Sequence, residues 1–153
     1  MSTIKVDTYL TRGGVSEIAI DKLKGVSSAS SISVVAEGGS TTTNLQQGLA
    51  KCWLLVAADG ASILDSLNVS SHDDDGTGDG GVHINNDMGS VNYVIQLTAD
   101  DGGAGSSVNS IEVTKGTVAA GSFDYENNYV NSASDNRTAF NVIRHIAVLG
   151  DLA

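Results

Sequence analysis

The sequence predicts a mainly β protein: a β-sandwich or jelly-roll-like domain with an N-terminal extended arm and one short helix. Three observations predict it. Eighteen glycines, no proline and abundant Ser, Thr and Asn suit many tight turns. From Trp53 onward, apolar and polar residues alternate in short runs, with turn signals about every ten residues. Hydrophobic residues reach 41% but aromatics only 5%, so the core must be built from Val, Ile, Leu and Ala.

The elements follow in order. Ile4, Val6 and Thr8 alternate with Thr3, Lys5 and Asp7, a half-buried strand pattern. Val15, Ile18 and Ile20 follow a Gly13-Gly14 turn. The Ser27–Ser31 run reads as a loop or joint, and Ser31 to Val35 as another strand. Residues 1–38 are too poor in large apolar side chains to fold alone, and read as an attachment arm or stalk that needs a partner. Residues 39–153 read as the head domain.

The helix is predicted at about 42–52. Thr42, Thr43 or Asn44 can cap it. Leu45, Leu49, Cys52 and Trp53 recur at helical steps, giving one apolar stripe. So short a helix is marginal by itself. Its stripe must therefore pack, either against its own β-domain or against copies of itself on an axis. In the second case Leu45, Leu49 and Trp53 form the subunit interface, and Gly48 allows close approach.

Strands follow. Trp53 to Ala58 is continuously apolar and ends at an Asp59-Gly60 turn. Ala61, Ile63, Asp65, Leu67 and Val69 share one face of the next strand, with one acid out of place. Val82 with Ile84, then Val91, Tyr93, Ile95 and Leu97, then Asn109, Ile111 and Val113 each alternate. Residues 100–105 read as a hairpin tip. Phe123 and Tyr125 share a face, Tyr129 follows in a weaker strand, and 131–136 reads as a polar loop. Phe140 to Leu149 is nearly all apolar, which suits a strand buried on both faces.

The formal net charge is −10, against the basic footprint that nucleic acid requires. No 18-residue apolar window or signal-like h-region is present, so neither membrane insertion nor secretion is expected. The single cysteine, Cys52, cannot form an intrachain disulfide and reads as a small buried residue.

Three stretches carry a family likeness. They are Ser2-Thr3-Ile4-Lys5-Val6-Asp7-Thr8, the run from Gly39 through Asn44-Leu45-Gln46-Gln47-Gly48 to Trp53, and Asp65 to Ser71 followed by Asp75-Gly76-Thr77-Gly78-Asp79. Ile84 to Met88 and Asn92-Tyr93 continue the likeness, which covers most of residues 2–95. In these the chain resembles a module of bacteriophage tail-fibre and other virion surface proteins. Gly80-Gly81 departs from the pattern, where β-formers are usual, and so does Cys52, where Ala is common. The resemblance implies a non-enzymatic homotrimer in the virion, assembled in the host cytoplasm. Its N-terminal arm would meet other virion proteins, and its exposed end would meet a host surface glycan or protein.

The remaining candidate chemistry is weighed residue by residue. The Asp73-to-Asp79 run fails the EF-hand spacing. It reads as a hairpin whose carboxylates bond nearby amides, with a cation left open. His145 beside Arg144 reads as a structural contact needing carboxylate or carbonyl partners. No nucleophile elbow or phosphate loop is present, and no cofactor is expected. Tyr125 and Tyr129, in an Asn- and Asp-rich region, are the candidates for a receptor-facing patch. The rival readings are a capsid decoration protein, a lectin-like carbohydrate-binding module and, last, a surface-glycan hydrolase.

Overall fold

A computed structural model describes residues 22–23, 32–35, 39–100, 109–131 and 136–153. The strands expected at residues 3–8 and 15–20, the Ser27–Ser31 joint and most of the 100–105 tip lie outside the described residues. The chain is mainly β. Its elements are β1 (Ser33–Val35), β2 (Thr42–Asn44), α1 (Leu45–Gly48), β3 (Ala50–Val56), β4 (Ile63–Leu67), β5 (Val69–Gly76) and β6 (Asp79–Ile84). They continue with β7 (Val94–Ala99), β8 (Asn109–Lys115), β9 (Ser122–Asn131), β10 (Asn136–Ala139) and β11 (Arg144–Leu149).

β1 and β2 form an antiparallel hairpin that bridges the expected boundary at residue 38. It runs into α1, capped by Asn44, whose side chain accepts a bond from the Gln47 amide at 3.1 Å. The helix is one turn, not the two or three expected over 42–52. Lys51 ends it. The Lys51 ammonium donates to the Gln46 and Leu49 carbonyls, and the chain enters β3 at Ala50. Cys52 and Trp53 are therefore strand neighbours on opposite faces. Cys52 is fully buried and Trp53 is half-buried, so the expected helical stripe does not form.

Two larger antiparallel sheets face each other. One has the order β4-β3-β11-β7. The other runs β10-β9-β6-β5, with β8 on the second edge of β9. β6 and β10 meet β9 end to end, and Asn127 marks the junction: its amide donates to Gly78 O and its carbonyl accepts from the Phe140 amide. The chain alternates between sheets, laying a β3-β4 hairpin in one and a β5-β6 hairpin in the other.

Asn68 makes the first crossing, so the single strand expected over 61–69 is in fact two. Its φ is +58°, a left-handed conformation that Asn tolerates better than other side chains. Its side-chain amide donates to the Lys51 and Asn86 carbonyls, and its oxygen accepts from the Asn86 amide at 2.8 Å. The turn at Asp59-Gly60 forms as expected. Asp59 accepts bonds from the Ser62 hydroxyl and from the Ser62 and Ala61 amides, which hold its carboxyl below the usual range.

The core lies between the sheets. Cys52, Leu54 and Val56 from β3 and Ile146 and Val148 from β11 meet Val82, Ile84, Phe123 and Tyr125 from β6 and β9, with Met88 closing one end. Alternation puts these side chains inward because β-strand side chains point to opposite faces in turn. β11 is central, as its apolar run suggests. It occupies only the second half of that run, however, and its outer face is open at His145.

Candidate functional site

Among the described residues, the outer face of the four-stranded sheet carries the most varied exposed chemistry. Register sets it. Trp53 lies opposite Leu67 on one side and Ala147 on the other, and Ala147 lies opposite Gln96. The next row, again across four strands, is Asp65, Leu55, His145 and Thr98. Ala147 is the small residue among tall ones, so the sheet surface dips there. The result is a groove of about 370 Å³ lined by Trp53, Leu55, Asp65, Gln96, Thr98 and His145. The acid that looked out of place in β4 faces this groove, where water covers it.

The expected interface residues are spread over different elements. Leu45 is half-buried in α1, Leu49 is 54% exposed just after it, and Trp53 belongs to the groove. Gly48 has free space beside it: an added Cβ would meet nothing within 4 Å. The β1-β2 hairpin next to it exposes Val34 and Val35, consecutive residues whose side chains point to its two faces.

Tyr125 is not receptor-facing. It is 1% exposed and packs in the core, and the polar residue two places on, Asn127, is buried with it. Its hydroxyl lies 2.8 Å from His72 Nε2, and the Arg144 guanidinium sits over its ring at 5.4 Å. Arg144, at 1% exposure, donates to Asn141 Oδ1 at 3.0 Å and to Phe140 O at 3.3 Å. Its partners are carbonyl oxygens, one of the two kinds the sequence allowed, together with the Tyr125 hydroxyl at 3.4 Å. His145 points the opposite way, so the two do not form a pair. Tyr129 is half-buried with its ring edge-on to Phe140 at 5.5 Å.

The acidic run is the β5-β6 hairpin. Asp74 accepts from the Gly76 amide, Asp73 lies 2.7 Å from His83 Nε2, and Asp79 pairs with Lys115. Among the described residues, no three His, Cys, Asp or Glu side chains are grouped to hold a metal. Burial pushes the Cys52 thiol up to about 11, so it is protonated and shielded at neutral pH. The Asn68 side-chain amide nitrogen, beside this hairpin, is engaged in the sheet crossing.

The groove could have been suspected from one signal, the solitary acid in an otherwise apolar strand face. Its other walls come from β3, β7 and β11, and only pairing brings those together. No protein-family model, no curated protein and no solved structure matches the chain.

Proposed function

We propose that the chain is a non-enzymatic structural component of a phage virion, a fibre or fibre-tip protein working as a homotrimer. The N-terminal side would attach it, and the sandwich would be presented to the host surface. The observation that carries this reading is the β1-β2 hairpin, with Val34 at 50%, Val35 at 58% and Leu49 at 54% exposure. Among the described residues this ribbon has two strands and no third neighbour; a ribbon of that size is marginal in water, and open strand edges favour addition of another chain. Burying each of these side chains in a neighbour contributes up to about 1.5–3 kcal/mol. Three copies then present any weak surface contact at high effective concentration. The sequence likeness over residues 2–95 supports the virion setting. Three of the groups that could bear chemistry are engaged internally: Cys52 is buried, His72 is on Tyr125 and Asp73 is on His83.

The test is the solution mass of the purified full chain by light scattering, for wild type and for Leu49→Asp. The expected result is a trimer that the substitution dissociates while the melting transition is kept. A monodisperse wild-type monomer would overturn the reading and favour a lectin-like module. Co-sedimentation with intact phage particles tests the virion setting, and loss of capsid stability without the protein would move it to a decoration role.

A further inference from the structure

We propose that the groove on the outer face of the β4-β3-β11-β7 sheet binds a neutral carbohydrate, with a pyranose ring lying over Ala147 against Trp53. This goes beyond the assembly reading, because the groove is built within one chain.

The floor and wall are apolar. Ala147 forms the dip, while Trp53 and Leu55 stand beside it on β3. The rim is polar and drawn from four residues on three strands: Asp65 on β4, His145 on β11, and Gln96 and Thr98 on β7. Gln96, Thr98 and His145 are exposed, and among the described residues their side chains make no hydrogen bond. Asp65 uses Oδ1 on the Ser66 amide at 2.8 Å, which leaves Oδ2 free.

A flat indole with an apolar floor matches the C–H face of a pyranose. A carboxylate, an amide, a hydroxyl and an imidazole at the rim match its hydroxyl edge, since between them they donate and accept. The volume falls at the low end of small-ligand sites. An apolar ligand would desolvate Asp65 and Gln96 without replacing their water, which costs about 1–3 kcal/mol per unsatisfied group. An acidic sugar or phosphate would meet Asp65 and a chain of net charge −10. A neutral polyhydroxylated ring therefore fits this lining better than either.

Trp53 is the only tryptophan, so its fluorescence reports on this groove alone. The full chain is titrated with cellotetraose, chitotetraose, mannotetraose and β-1,4-galactotetraose. The expected result is a saturable emission change with at least one of them, with millimolar or tighter affinity. Gln96→Ala and Asp65→Asn, both on exposed positions, should each weaken it by about tenfold, the equivalent of one hydrogen bond. Ala147→Leu should abolish it by filling the dip while removing no polar group. Melting curves check that each variant is folded. No saturable change with any of the four sugars overturns the proposal, as does a response that survives Ala147→Leu. A trimer that binds no sugar sinks the groove and leaves the assembly reading standing. A sugar-binding monomer does the reverse.

Discussion

His72 Nε2 and the Tyr125 hydroxyl lie 2.8 Å apart, reaching across β6 over Gly80. The two residues sit on β5 and β9, the strands either side of β6. Their rings stack with centroids 5.9 Å apart. This contact explains why the first residue of the Gly80-Gly81 pair is glycine. A Cβ at Gly80 would stand 2.8 Å from His72 Nε2 and 3.0 Å from the Tyr125 oxygen. Gly80 is thus required by what passes over it, and not by its own backbone angle.

Gly80→Ala is therefore expected to destabilise the fold by about 1–3 kcal/mol, the usual range for overpacking. The neighbours of that Cβ include the Asp73 carbonyl at 2.9 Å, which cannot swing aside as a side-chain end can. Urea midpoints at fixed pH measure it. An unchanged midpoint would mean that β5 and β9 separate freely, and that the His72–Tyr125 bond is not held by the sheet.

Stability should fall as pH drops below about 6.5. Burial holds the His72 pKa below its ordinary 6.5, with Arg144 adding repulsion, against the opposing pull of the Ala61 backbone and of Asp73 and Asp74. Below 6.5 the unfolded chain takes up a proton that the folded chain refuses, so the unfolded state binds more protons and stability declines with falling pH. The decline continues until the folded pKa is passed. Melting temperatures of wild type and His72→Asn between pH 7.5 and 5 check this, and the variant should lose the slope in that window. A wild-type profile that is flat there would show that His72 takes up a proton as readily in the folded protein as in the unfolded chain.

Arg144→Met should be at least as stable as wild type. Among the described residues the guanidinium has no carboxylate partner, and its Nε is buried without a hydrogen bond. It is held by carbonyls, by the Tyr125 hydroxyl at 3.4 Å and by the Tyr125 ring. Replacing a buried charge with an apolar side chain of similar length is often neutral or stabilising. Arg144→Ala, which leaves a void, should cost about 2–4 kcal/mol. Thermal melts of both variants decide it. A large loss in the Met variant would show that the guanidinium contacts outweigh the cost of desolvating the charge.

The sequence by itself determined the features that depend on neighbours along the chain. Alternation of period two marked the strands, because side chains on an extended backbone point to opposite faces. Turn chemistry placed the bend at Asp59-Gly60, where the Asp59 carboxylate gathers the next amides. Composition around Cys52 placed a small buried residue in what proved to be the core.

The tertiary structure alone decided what depends on pairing. A helical step and a strand onset look alike over so short a run as 45–53, and pairing of Trp53 with Leu67 and Ala147 settled it as a strand. Tyr125 looked exposed by its polar neighbours. It is buried because both edges of β9 are paired and its face is turned onto the opposite sheet. The groove needs Asp65, Trp53, Ala147 and Gln96 side by side, and those residues come from four strands, of which only β3 and β4 are consecutive in the chain. Alternation says which residues share a strand face. Only hydrogen-bonded register says which strands lie next to each other, and a slip of one residue would turn every one of these side chains the other way.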